Sequence, residues 1–225
     1  HPILHSFPTR RSSDLTNIKE CPEYKLSNNK EATKLLPDVI HNNVQKIIPG
    51  DEITEKAKQA FKKRRNIGVF FSGGPAPGGH NVIAGLYDEV KKYNSESKLF
   101  GFLSGPDGLL ESKYVEITQS LVDAYRNMGG FSMIKTGRTK IDSKIKMALA
   151  LKTCKELGLE ALVVIGGDDS NTNAIFLAQQ FKSAGIKVIG VPKTIDGDIQ
   201  IKTDDKETLC AISFGFHTAA RAFSQ

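Results

Sequence analysis

Three short apolar runs, Ile67 to Ser72, Ala161 to Ile165 and Lys187 to Val191, each stop abruptly at small and polar residues. The loops they run into read SGGPAPGGHN (Ser72 to Asn81), GGDDSNTN (Gly166 to Asn173) and PKTIDGD (Pro192 to Asp198). Stretches with helical periodicity separate the runs, and β-branched runs that end in glycine before such stretches are the rhythm of βαβ units. That rhythm constrains the chain more than any other feature. Parallel strands need crossovers, and the crossovers cover the sheet. The expected fold is therefore α/β: a three-layer sandwich with a mostly parallel sheet.

The pattern places the first strand at Ile67 to Ser72 and a helix over His80 to Tyr93. A strand at Leu99 to Leu103, a loop with Gly105, Pro106 and Gly108, and a helix near Ser120 to Met128 come next. Phe131 to Ile134 reads as a further short strand. Asp142 or Ser143 can cap a helix running to about Leu157, stopped by Gly158, and another helix covers Asn171 to Ser183, stopped by Gly185. A last helix spans Phe216 to Gln225 without a C-terminal cap, so the chain reads as cut there, a piece of a longer protein. Residues 16–65 are polar and broken by Pro22, Pro37 and Pro49, with a weak helical pattern over Thr54 to Phe61; they read as an N-terminal extension with one or two short helices. Within residues 1–15 the string HSFPTRRSSDL resembles a translated frame of a short-read sequencing adapter. These residues are set apart as an adapter-derived or disordered leader, which leaves 66–225 as the ligand-binding domain.

Charge and cysteine usage narrow the function classes. The chain carries 31 Lys+Arg against 25 Asp+Glu, but residues 1–65 hold 13 and 8 of these, so residues 66–225 hold 18 and 17. The domain is nearly neutral, which argues against a nucleic-acid partner. No apolar run approaches the ~18 residues of a membrane-spanning helix, so no membrane partner is expected. Cys21, Cys154 and Cys210 are odd in number and widely spaced, against a disulfide framework or zinc cluster and in favour of a reducing compartment.

Ligands of an open parallel sheet bind outside the carboxyl ends of its strands, where these three loops lie. Glycines at a helix opening let backbone N–H groups approach a phosphate, and the helix N-terminus adds positive potential. The second and third loops add carboxylates, which repel phosphate unless a divalent cation or a proton-transfer task accounts for them. Singly, a Gly-Gly after a strand is most often a tight turn, Asp-Asp-Ser at a helix start most often an N-cap, and Thr-Ile-Asp-Gly-Asp reads as a solvated turn. The GK[ST] ending of a P-loop and the GxGxxG of a dinucleotide fold are both absent, which disfavours an NAD-binding oxidoreductase. The three loops together point to Mg-assisted phosphoryl transfer.

With these loops, and with GGF at Gly129 to Phe131, TGRTK at Thr136 to Lys140 and FGFHTA at Phe214 to Ala219, the sequence resembles the phosphofructokinases. The resemblance is to the long pyrophosphate-dependent type and runs from about Asn66 onward. It implies a cytoplasmic glycolytic enzyme that moves phosphate reversibly from pyrophosphate to the 1-hydroxyl of fructose 6-phosphate with Mg²⁺, and a homo-oligomer at full length. By the same resemblance Asp196 is the general base, Asp168 the magnesium ligand and Asp198 a second or water-mediated one. Gly73 and Gly74 contact the donor phosphates, Arg138 stabilises the transferring group, and Thr194 and Ile195 lie against the sugar phosphate. Members that use ATP have glycine where this chain has Asp169 and Lys193. The Asp169 carboxylate would repel a nucleotide α-phosphate and Lys193 would charge-stabilise the leaving phosphate, so the two favour pyrophosphate. An ATP-dependent 6-phosphofructokinase and a non-catalytic regulatory subunit are the alternatives. His80 and His217 read as capping or packing residues, Cys154 as core, and Lys62 to Arg65 as a solvated helix end.

Overall fold

The computed structural model describes residues 16–21, 30–49, 59, 62–128, 130–194, 201–202, 208–210 and 216–224. They fall into two units, His1–Lys63 and Arg64–Gln225. In the first unit β1 (Thr16–Cys21) pairs antiparallel with β2 (Val44–Pro49), Ile18 standing opposite Ile47 and Cys21 opposite Val44. Helix α1 (Lys30–Leu35) lies between them in sequence. The extension thus holds a strand pair as well as a short helix. Its two runs are far apart in sequence and neither alternates cleanly, so no local pattern announces the pairing. The helical stretch expected over Thr54 to Phe61 lies outside the described residues apart from Gln59.

The second unit contains strands β3 (Asn66–Ser72), β4 (Lys98–Phe102), β5 (Tyr114–Glu116), β6 (Thr136–Gly137), β7 (Ala161–Gly166) and β8 (Lys187–Pro192). Its helices are α2 (Gly79–Tyr93), α3 (Pro106–Leu110), α4 (Gln119–Tyr125), α5 (Lys144–Glu156), α6 (Asp168–Phe181) and α7 (Phe216–Phe223). Ile201–Lys202 and Thr208–Cys210 form a further small antiparallel pair. The main sheet has the order β5-β4-β3-β7-β8, parallel throughout except at the β4–β5 edge. β3 pairs with β7 along one side; on the other it pairs first with β4, over Asn66–Val69, and then with β6, over Phe71–Ser72.

Strand order therefore reverses at β3, and the helices after β3 and β7 leave toward opposite faces. Helix α2 packs Ile83, Ala84 and Tyr87 with Val69, Phe71, Val163 and Ile165. Helix α6 packs Ala174, Leu177 and Phe181 with Phe70, Leu162 and Val164. The alternation of β3 and β7 residues between the two clusters is the period of two that a strand covered on both sides requires. Where adjacent parallel strands send their connections to opposite faces, a crevice opens at their carboxyl ends. Here that crevice lies beyond Ser72 and Gly166.

The helices expected after residue 66 are found, with Ser143 capping α5 through a hydrogen bond from the Lys146 N–H (3.2 Å), while the stretch expected as a loop with Gly105, Pro106 and Gly108 turns into the short helix α3 at Pro106. Phe131 to Ile134 is a correction: Phe131–Met133 is a 3₁₀ turn, and the short strand comes later, at β6. Phe131 stacks on Phe71 with ring centroids 4.1 Å apart, and this anchorage lets the chain turn and then meet β3. Arg65 also differs from expectation. Its guanidinium donates to Glu160 (3.0 Å) and its backbone N–H to the Ser97 hydroxyl (3.0 Å), so it ties strands rather than ending a solvated helix. Among the described residues no helix is long and apolar enough to cross a membrane.

The turn at Gly105 packs against the backbone of β3 and β6 at Phe71 and Gly137. Gly105 has φ +73°, and a Cβ there would strike the Phe71 carbonyl oxygen and stand 2.6 Å from the Gly137 nitrogen. Gly105→Ala is expected to destabilise the chain by about 2–6 kcal/mol, summing left-handed strain and overpacking against backbone that cannot yield. Denaturant unfolding of the 225-residue chain reads this directly, and a change under ~1 kcal/mol would refute it.

Cys154 is buried in the α5–α6 cluster, and burial pushes its thiol up to about 12. It is expected to resist alkylation in the native protein at pH 8 and to react only on unfolding; labelling under native conditions would contradict that.

Candidate active site

The first loop is stitched to the strand beside it. The Gly73 N–H donates to the Gly137 carbonyl (2.9 Å), and the Thr136 hydroxyl donates to the Gly73 carbonyl (2.8 Å). Gly73 itself has φ +89°, a conformation that glycine adopts without steric cost. These bonds deliver the residue after β6, Arg138, to the loop: a Cβ on Gly74 would lie 3.6 Å from Arg138 Nη2.

The second loop opens α6. The Ser170 hydroxyl donates to Ser72 Oγ (2.9 Å) in a buried contact that ties the start of α6 to the end of β3. Asn171 Nδ2 donates to both the Gly166 and Gly167 carbonyls (2.8 and 2.9 Å) and so shapes the turn between β7 and the helix. No side chain caps α6 at Gly167, and its first turn carries Asp168 and Asp169. One turn on, Asn173 grips Ile141 by its backbone, accepting from the N–H (3.2 Å) and donating to the carbonyl (2.9 Å).

The third loop closes the arrangement. The Lys193 N–H donates to the Gly166 carbonyl (2.9 Å), and its Nζ reaches across to donate to the Gly74 carbonyl (2.9 Å). One lysine thus ties the end of β8 to the loop after β3. Lys140 adds an ion pair, its Nζ 3.4 Å from Asp169 Oδ2.

Together these segments enclose a cavity of ≈ 290 Å³ at the crevice. Gly73, Gly74, Arg138, Asp168, Asp169 and Lys193 all line it. That volume is just below the roughly 300–1,000 Å³ typical of ligand pockets. Three cations face two carboxylates across glycine backbone and an uncapped helix start, the chemistry of a small polyanion bound together with a hard cation. Among the described residues no group of three or more His, Cys, Asp or Glu could hold a metal ion. Asp168 nevertheless fits Mg²⁺, which takes one or two carboxylates and completes its shell with substrate phosphates and water.

The family description Phosphofructokinase matches residues 66–225. The chain belongs to the phosphofructokinase family. It is 50% identical over 202 residues to a pyrophosphate–fructose 6-phosphate 1-phosphotransferase of Porphyromonas gingivalis, covering 89% of this chain and 35% of that protein. It is 54% identical over 161 residues to the enzyme of the same name from Treponema pallidum, covering 71% and 27%. The chain thus spans about a third of the length of the curated relatives it matches. In fold it is similar to the solved pyrophosphate-dependent phosphofructokinase of Nitrosospira multiformis, with a TM-score of 0.57 at 21% identity, covering 68% of this chain and 37% of that one.

Six of the residues that the family resemblance singled out therefore line one cavity. Thr194 is half-buried beside Lys193, while Ile195, Asp196 and Asp198 lie outside the described residues. His80 is buried at the start of α2, burial lowers its pKa, and its ring nitrogens have no partner among the described residues. It is a packing residue rather than a cap. His217 is exposed on α7. Sequence reasoning missed the residues that hold the loops in place: Thr136, Lys140, Ser170, Asn171 and Asn173. The alternate asparagines of GGDDSNTN were the available signal, since a polar side chain inside a helix often bonds a nearby carbonyl.

Proposed function

We propose that residues 66–225 form the donor-binding part of a Mg²⁺-dependent enzyme that transfers a phosphoryl group from pyrophosphate to the 1-hydroxyl of fructose 6-phosphate. The observation that carries this reading is the meeting of Asp169 and Lys193 with Gly74, Arg138 and Asp168 in one small cavity. A compact diphosphate suits that volume, and the names of the similar proteins support the same donor and acceptor.

In this reading the Gly73–Gly74 backbone and the start of α6 bind the donor phosphates, and Asp168 holds the metal, with Asp198 as a second ligand. Bound Mg²⁺ would supply charge neutralisation between the donor phosphates. Arg138 lies beside Gly74 and stabilises charge on the transferring group. Lys193, already aimed at the Gly74 carbonyl, stabilises the leaving phosphate. Asp196 takes the proton from the sugar hydroxyl, while Thr194 and Ile195 face the sugar phosphate. The full-length protein is a cytoplasmic homo-oligomer in this reading, as the family resemblance implies.

Calorimetric titration of the full-length gene product with inorganic pyrophosphate tests the donor assignment. Binding is expected with Mg²⁺ present and at least about tenfold weaker after chelation, because the Asp168 carboxylate would then face the anion without the metal between them. Binding that is absent, or indifferent to the metal, would contradict the reading.

A further inference from the structure

The phosphate cavity does not stand alone. A larger groove of ≈ 630 Å³ runs beside it between α5 and α6, lined by apolar side chains that include Met147, Leu151, Phe176 and Phe181. Among the described residues the two spaces share Lys140, Asp169 and Asn173 and no others. Two of these, Lys140 and Asp169, are joined by the 3.4 Å ion pair. The third, Asn173, holds Ile141 by two hydrogen bonds, and Ile141 is fully buried, so the backbone next to Lys140 is fixed at the boundary.

From this geometry we infer that Lys140 is a specificity-determining residue: its pair with Asp169 is a partition that closes the phosphate cavity off from the groove and limits the length of the donor. The inference rests on the pyrophosphate reading of the cavity and deepens it. It also changes what Asp169 does. With Lys140 against it the carboxylate is charge-compensated, so it acts as one half of a wall more than as a bare repelling charge. Both side chains are exposed, 59% for Lys140 and 78% for Asp169, so neither is needed for the core and substitution leaves folding intact. Lys140 acts through Asp169 and is a positioning residue, distinct from Arg138 and Lys193, which face the donor.

The test compares inorganic tripolyphosphate with pyrophosphate as phosphoryl donors for the full-length gene product. Lys140→Ala leaves Asp169 uncompensated beside the donor and is expected to raise KM for pyrophosphate about tenfold with little change in kcat. Lys140→Arg, which keeps the pair, should lose less. Lys140→Ala with Asp169→Ala removes the pair without changing net charge; it should recover part of the lost affinity and raise the tripolyphosphate to pyrophosphate ratio of kcat/KM at least about tenfold over the unmodified enzyme. A ratio unchanged in the double variant, or a KM unchanged in Lys140→Ala, overturns the partition. If the unmodified enzyme uses neither donor, the underlying reading fails and takes the partition with it. Thermal unfolding of each variant should match the unmodified protein, so a changed ratio reports the passage and not the fold.

Discussion

Exchanging Asp169 and Lys193 together for glycine is expected to move the donor preference of the full-length gene product from pyrophosphate toward ATP. The ratio of the two kcat/KM values should swing by about a thousandfold, two orders from the lysine and one from the carboxylate. The lysine has the greater effect. Its Nζ donates to the Gly74 carbonyl from a half-buried position at the cavity, where a charged donor to a developing phosphate charge is worth about 3 kcal/mol, or two powers of ten. The carboxylate contributes by exclusion, since removing it opens the way from the phosphate cavity to the neighbouring groove, whose apolar lining could receive a nucleoside. The two sites share one cavity, so their effects need not add, and both single variants belong in the experiment. A donor ratio that stays put in the double variant would sink the specificity assignment.

Asp196→Asn is expected to lower kcat by roughly 10²- to 10⁴-fold, the usual contribution of a positioned general base, while leaving Mg-pyrophosphate affinity within a few fold. A sugar hydroxyl is a poor nucleophile and asparagine cannot take its proton. Asp196 lies outside the described residues; Lys193, three positions before it, is pinned to both the Gly166 and Gly74 carbonyls. A fall in kcat under tenfold, or a loss confined to KM, would remove Asp196 from the role of base.

Much of the sheet was legible because burial on both faces writes itself as apolar runs. Ile67 to Ser72 and Ala161 to Ile165 are the two central strands, and the glycines after them mark where each chain end turns into a helix. Pairings between distant segments were not legible. β1 and β2 have no shared local pattern, and β6 is only Thr136–Gly137, too short to carry a period. The apolar residues of Phe131 to Ile134 suggested a strand because stacking of Phe131 on Phe71 is a tertiary event that no window of sequence contains.

The same division holds at the site. The glycines of the first loop and the acids of the second marked the cavity, because backbone approach and charge are properties of residue type, while Asp196 and Asp198 of the third loop lie outside the described residues. The bonds that assemble it cross long stretches of chain: Ser170 to Ser72, Lys193 to Gly74, Asn173 to Ile141. Lys140 is the clearest case. It reads as the last residue of TGRTK, and only the folded structure brings it against Asp169.

A coupled assay of the full-length gene product, supplied with fructose 6-phosphate, Mg²⁺ and either pyrophosphate or ATP, bears most directly on the proposed chemistry. Rapid formation of fructose 1,6-bisphosphate is expected from pyrophosphate, with kcat/KM for ATP lower by at least about a hundredfold. A preference for ATP would contradict the donor assignment, and absence of turnover with both donors would contradict the enzyme itself.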